Sequence, residues 1–238
     1  MGVGRIEIQD IAKENYLLIW GDNMKLYDYI KKKKTYIIAE MSGNHGGELS
    51  RALEIVKYAK EAGADCLKIQ TYTPDTLTLD CKKDVFLVKG GLWNNKNLYD
   101  LYKEAYTPWE WQEEIKRECD KIGIDFLSTP FDFTSVDFLE SIGIEFYKIA
   151  SPELIDIPLI KYVAEKKKPI LISCGMGSEQ EIEDAISTIR KCGNEDIIIL
   201  KCCSEYPSDF SNMNLVMINE IKERFNCKVG LSDHSMGS

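Results

Sequence analysis

The sequence predicts an α/β protein, an incomplete (β/α)8 TIM barrel with seven of its eight strands present, and three observations carry this. Seven short apolar runs recur along 238 residues: TYIIAE, CLKIQT, DFLSTP, FYKIAS, PILISCG, IIILKCCS and KVGLSDH. They are nearly continuous rather than alternating, as strands of a parallel sheet buried on both faces read. Helix-spaced segments lie between most of them. Finally, every run ends in groups able to do chemistry: Glu40; Lys68, Gln70 and Thr71; Ser128 and Thr129; Lys148 and Ser151; Ser173; Lys201 and Ser204; Ser232, Asp233 and His234.

Taken in order, LSRALEIVKYAKEAG places Leu49, Leu53, Val56 and Ala59 on one stripe, and Gly63 stands where a left-handed C-cap is wanted. IDIPLIKYVAEKKK puts Pro158 near a helix start after Asp156 as cap. In SEQEIEDAISTIRKCG, Ser178 and Glu181 have capping-box spacing and Gly193 ends the helix. GADCLKIQT, GIDFLSTP and GIEFYKIAS form a weak internal repeat of glycine stop, strand and polar tail. Such alternation gives right-handed βαβ units, in an open doubly wound sheet or a barrel. The polar tails favour the barrel, because its strand ends converge on one mouth, whereas an open sheet focuses only those at its switch point.

The connection from Thr71 to about Pro108 is long and rich in turn formers and aromatics, as loops that shape a substrate pocket are. Residues 1–34 read as an N-terminal extension without a repeat unit; Met24 offers a shorter start, and Lys31 to Lys34 read as a solvated face. Residues 35–238 form the partial barrel domain. The run of strands stops at the seventh, which leaves the barrel unclosed and its edges open.

A formal charge of −9 argues against a nucleic-acid partner. An anionic substrate then needs lysines gathered locally. No apolar stretch approaches the ~20 residues of a membrane helix, and MGVGRIEIQD lacks the features of a signal peptide, so a cytoplasmic protein is expected. The eight cysteines contain no C-x-x-C pair and sit in or beside apolar runs, which reads as reduced, buried thiols.

The chemistry-bearing set is Lys68 and Lys148 with hydroxyls at Thr129, Ser151, Ser173 and Ser232. Two cations and several neutral donors suit a phosphorylated carboxylate. Glu40 is either a general base or the ion-pair partner of Lys68. Of two histidines, His234 is either a metal ligand or a hydrogen-bonded structural residue, and His45, crowded by glycines in GNHGG, is either its partner or a packing residue.

The set IIAEMSGNHGG, AGADCLKIQTYTPDTLTLD, LSTPFD, YKIASPE, ISCGMGS and GLSDHS, from about Tyr36 onward, resembles the sialic acid synthase family. The resemblance implies a transferase that condenses phosphoenolpyruvate with an N-acetylated amino sugar. The motifs KIQTYTPDTLTLD and GGLWNNKNLYDLYKEAYTPWEW resemble the branch whose sugar is a 2,4-diacetamido-2,4,6-trideoxy-altropyranose, with neuraminate and legionaminate synthases as alternatives. It places proton management on Glu40 and, with Lys148, the catalytic role. Phosphoenolpyruvate binding falls on Lys68, Thr129, Lys148, Ser151, Ser173 and Ser232, sugar binding on Gln70 and Tyr206, and metal binding, Mn²⁺ in the family, on His234. It further implies a second metal histidine on the next strand, an antifreeze-like domain after the barrel, and full-length homodimers. With one such histidine and no closing strand, the isolated chain is expected to be inactive, and a catalytically dead barrel with a binding role is the reading from another class.

Overall fold

A computed structural model describes residues 3–7 as backbone, and residues 26, 35–90 and 93–236. Met24 and Lys31 to Lys34 lie outside the described residues. All seven expected runs are parallel strands of one sheet: β2 (Thr35–Glu40), β3 (Cys66–Thr71), β4 (Asp125–Pro130), β5 (Tyr147–Ile149), β6 (Ile170–Ser173), β7 (Ile197–Cys202) and β8 (Lys228–Ser232). Their spatial order is their sequence order, as sequential right-handed βαβ units produce. An eighth strand, β1 (Val3–Glu7), falls in the N-terminal extension, where the sequence predicts no element. It pairs antiparallel with β2 from Val3 opposite Ala39 to Glu7 opposite Thr35. The sheet curls so far that β1 also lies beside β8.

The helices are α1 (Leu49–Glu61), α2 (Pro74–Leu77), α3 (Leu98–Ala105), α4 (Trp109–Ile122), α5 (Phe133–Ser141), α6 (Ile157–Glu165), α7 (Glu179–Lys191) and α8 (Met217–Phe225). No described helix is long and apolar enough to cross a membrane. The sequence signals for their ends are realised. Gly63 and Gly193 take φ of 87° and 72° beyond α1 and α7, a conformation that glycine alone adopts without a Cβ penalty. Asp156 accepts from the Leu159 amide at 3.0 Å at the start of α6, and Ser178 and Glu181 form the reciprocal capping box of α7. The buried stripe of α1 is Ala52, Ile55, Val56 and Ala59, with Leu49 and Leu53 half-buried at its border. The helix is therefore turned from the predicted stripe.

Strand alternation divides the core into two skins. One face packs against the helices, with Leu67, Ile69 and Phe126 against α1 and α4, and Tyr147, Ile149, Ile170, Ile172, Ile197 and Ile199 against α6 and α7. The opposite face forms an inner plug of Tyr36, Ile38, Cys66, Leu127, Phe146, Leu171, Ile198 and Leu200, joined by Leu26. Burying each of the large apolar side chains contributes roughly 1.5–3 kcal/mol. The plug fills the base of the inner space, and whatever lies two residues further along each strand stands above it.

Candidate active site

Two residues past each plug residue, on the same face, come Glu40 after Ile38, Lys68 after Cys66, Thr129 after Leu127, Lys148 after Phe146, Ser173 after Leu171 and Cys202 after Leu200. Register reinforces the layer: Glu40 lies opposite Lys68, Gln70 opposite Thr129, and Cys202 opposite Ser232. Polar residues drawn from six separate strands thus share one ring at the C-terminal end of the sheet, where active sites of such folds sit.

Within the ring, Glu40 and Lys68 form a half-buried ion pair. The second Glu40 oxygen accepts from the Ser42 amide at 3.1 Å, and Lys68 Nζ reaches Thr129 Oγ1 at 3.4 Å. Of the two readings of Glu40, the partner of Lys68 is the one realised in this state. Lys148 is buried deeper. Its Nζ donates to Ser173 Oγ at 2.6 Å and to the Ile149 carbonyl at 2.8 Å. Burial, and then the Lys68 ammonium nearby, push its pKa down to about 7, while Cys202, Glu40 and Glu153 pull the other way. Lys68 and Lys148 therefore face one space, with two ammonium groups and one close carboxylate between them.

The remaining predicted residues frame that space. Ser151, buried at the end of β5, accepts from the Met176 amide at 2.8 Å and ties down the loop after β6. Gln70 is half-buried on the inner face, and Ser232 half-buried at the end of β8. His234 lies beyond β8, with Nδ1 2.7 Å from the Cys203 carbonyl. A carbonyl only accepts, so Nδ1 carries the proton and Nε2 keeps the lone pair of the neutral ring. Nε2 is 3.1 Å from the Tyr206 hydroxyl, and the two rings lie 4.1 Å apart. Burial lowers the pKa of this imidazole, but the Cys202 thiol 3.9 Å away and the Cys203 carbonyl outweigh it, so the net direction is upward. Tyr206, 61% exposed, stands at the rim.

His45 has a packing role. Its Nδ1 accepts from the Gly47 amide at 3.1 Å, its Nε2 lies 3.2 Å from Thr107 Oγ1, and its ring meets Trp111 edge-on at 5.7 Å. It ends a buried polar chain behind the ring. Ser128 lies 2.6 Å from Thr71 Oγ1, which donates to Gln112 Oε1 at 2.7 Å, and Gln112 Nε2 donates to the Thr107 carbonyl at 3.0 Å. The sequence marked Thr71 and Ser128 as strand ends and missed Gln112. It also assigned no role to Glu153, just past Ser151. Burial pushes the Glu153 carboxyl above its ordinary range, and its Oε2 is buried without a hydrogen-bond partner among the described residues. Lys201 departs from the expected convergence. It follows Ile197 and Ile199 on the helix-facing side, so alternation turns it away from the ring.

The described residues of the long connection form a wall held by side-chain bonds. Asn97 donates to the Cys81 carbonyl at 2.7 Å and accepts from the Tyr99 amide at 3.1 Å, and Tyr99 donates to Asp75 at 3.1 Å. Tyr72, at the exit of β3, meets Tyr102 and Phe131 edge-on at 5.9 and 5.6 Å.

Together the curled parallel sheet and the ring of two lysines, hydroxyls and one carboxylate at its C-terminal rim define a parallel α/β barrel protein with a charged, polar inner mouth. Comparison with known proteins makes this specific: the NeuB family model matches residues 55–238, and the chain belongs to that family. It is 45% identical over 214 residues to a pseudaminic acid synthase of Campylobacter jejuni, covering 90% of this chain and 62% of that protein. Its identity to the pseudaminic acid synthase of Helicobacter pylori is 44% over 202 residues, 85% of this chain and 59% of that one. A crystal structure of N-acetylneuraminic acid synthetase from Leptospira borgpetersenii superposes with a TM-score of 0.77 at 30% identity, covering 92% of this chain and 70% of that one. The chain spans about three fifths of the length of the curated relatives it matches.

Proposed function

We propose that this chain supplies the phosphoenolpyruvate- and sugar-binding barrel of a pseudaminic acid synthase, which joins phosphoenolpyruvate to 2,4-diacetamido-2,4,6-trideoxy-altropyranose to give pseudaminic acid and phosphate. The observation that carries the reading is the shared inner layer of Lys68, Lys148, Thr129 and Ser173, with Glu40 beside them. Support for the sugar comes from the 44–45% identity to synthases of that name, against 36% to an N,N'-diacetyllegionaminic acid synthase of Legionella pneumophila.

In this proposal Lys68 and Lys148 hold the phosphate, with Thr129, Ser173 and Ser232 donating to it and Ser151 fixing the loop above. The π electrons of the enol C3 form the new bond to the aldehyde carbon of the open-chain sugar, whose oxygen takes a proton and becomes a hydroxyl. Water adds to the electron-poor C2 and gives up a proton. The C2–O bond to phosphorus then breaks, and phosphate leaves as C2 becomes a ketone. Glu40 is the carboxylate placed to hold or release a proton near C3. The dianion draws Lys68 away from it, which frees an oxygen for that task. The lysines counter the phosphate charge and hold the enol in line. Gln70, Tyr206 and the Tyr72 wall face the sugar.

The ion implied by the resemblance is Mn²⁺, which would polarise the aldehyde. His234 fits one ligand position, because the Cys203 carbonyl fixes its tautomer and leaves the Nε2 lone pair to the Tyr206 hydroxyl, which an ion would displace. Among the described residues no group of three His, Cys, Asp or Glu side chains could hold a metal ion. The described residues therefore do not hold one by themselves.

The test is phosphate release by the natural product that carries this chain, which must require both phosphoenolpyruvate and the altrose derivative. Faster release with N-acetylmannosamine or the legionaminate precursor would move the assignment to those branches, and no release with any of the three would overturn it.

A further inference from the structure

Lys201 is only 8% exposed, yet it stands on the outer face of β7 among isoleucines. Its Nζ donates to the Cys202 carbonyl at 2.9 Å, and among the described residues no carboxylate lies within ion-pairing reach of it. A lysine with one neutral partner has further donor capacity to offer a ligand. It borders a cavity of 610 Å³ between α7 and α8, within the size range of small-molecule sites. Ile182 on α7 and Met217, Ile221 and Phe225 on α8 give it apolar walls. At its mouth Arg224 pairs with Glu179 at 2.6 Å, bridging the two helices, while Glu220 and Glu223 are exposed on α8. A buried cation below apolar walls selects a ligand with one charged end and an apolar body. The carboxylates at the mouth repel a polyanion, which excludes a free sugar phosphate.

We propose that this cavity, which also touches Cys174, Gly175 and Cys202 at the ends of β6 and β7, is a second ligand site on the helix side of the sheet, which takes a small amphipathic monoanion: a carboxylate on an apolar or aromatic body, its carboxylate on Lys201. The ligand enters between α7 and α8 and leaves the inner ring free. The site does not depend on the synthase reading.

The probe is 4-fluorobenzoate, followed by its ¹⁹F resonance in a titration of the 238-residue chain, with neutral 4-fluorobenzamide as control. The expected result is saturable binding of the carboxylate at least tenfold tighter than that of the amide. Lys201→Met should lose that advantage, and Lys148→Met at the inner ring should keep it. Met217→Trp, at a half-exposed position on the lip, should narrow the entrance between α7 and α8 and weaken binding of both probes, with an unchanged circular dichroism spectrum as the sign of an intact fold. Loss of the carboxylate advantage in Lys148→Met with its retention in Lys201→Met would place the anion in the ring and overturn the proposal. Equal binding of the two probes, undiminished binding in Met217→Trp, or no binding to the unaltered chain would overturn it as well.

Discussion

Replacing Lys148 by methionine should stabilise the ligand-free protein below about pH 7, and that gain should disappear as the pH rises. Lys148 is 5% exposed, and burial, followed by the Lys68 ammonium, brings its pKa from the ordinary 10.5 to about 7. A displacement of that size corresponds to roughly 5 kcal/mol. Below pH 7 the folded and unfolded chains both carry the proton, and the folded state bears the whole penalty. Between about pH 7 and 10.5 the unfolded chain keeps the proton and the folded chain loses it, so stability rises with pH. Above that window both are neutral and the penalty is gone. The methionine variant lacks this dependence, and it also lacks the bonds to Ser173 and Ile149, a pH-insensitive loss of about 1–3 kcal/mol. Urea unfolding followed by circular dichroism at about pH 6 and about pH 10 gives the difference in stability between variant and parent. That difference should fall by roughly 3–5 kcal/mol between the two pH values, and saturating inorganic phosphate should flatten the change by pairing the charge. A difference constant to within about 1 kcal/mol would show that Lys148 titrates as an ordinary lysine, and would refute the reasoning.

Three further substitutions bear on other parts of the account. Glu40→Gln releases Lys68 from its carboxylate, so inorganic phosphate should bind several-fold tighter in calorimetry while condensation falls by about 100-fold or more; weaker phosphate binding would show that the pair helps hold the anion. Gly175→Ala places a Cβ 2.7 Å from the Cys202 carbonyl oxygen and 2.8 Å from Ser204 Oγ, so thermal unfolding should show a loss of about 1–3 kcal/mol, and an unchanged midpoint would mean that the end of β7 yields freely. Ser178→Ala removes the α7 capping box and should cost about 1 kcal/mol in the same measurement, with no effect on phosphate affinity.

The seven parallel strands were legible because each is a short, almost unbroken apolar run closed by polar residues, and the ring was legible because the same runs carry its members at their ends. Face was the harder matter. Lys201 and Cys202 sit side by side at the end of one strand, and a list of polar ends takes the lysine, although alternation from Ile198 and Leu200 sends Cys202 inward and Lys201 outward. Gln112 falls on the same helical stripe as Ile115 and Cys119. Nothing local distinguishes a buried glutamine from a solvated one; its partners, Thr71 and Thr107, come from elsewhere in the chain. The wall between Tyr72 and Pro108 is held by Asn97, Asp75 and edge-on aromatic contacts rather than by periodic burial, so no period announces it. β1 depends on distant partners, pairing with β2 from Glu7 opposite Thr35 to Val3 opposite Ala39 and lying beside β8, and a five-residue strand carries no signal of such a pairing.

The central claim is that Lys68 and Lys148 hold one phosphorylated anion between them. Calorimetric titration of phosphoenolpyruvate into the protein and into Lys68→Met and Lys148→Met tests it most directly. The account predicts one site per chain, with affinity reduced about tenfold or more by either substitution, since each removes a charge-assisted hydrogen bond worth about 1.5–3 kcal/mol. Affinity left within about twofold of the parent by either one would mean that the two ammonium groups do not share a ligand, and would contradict it.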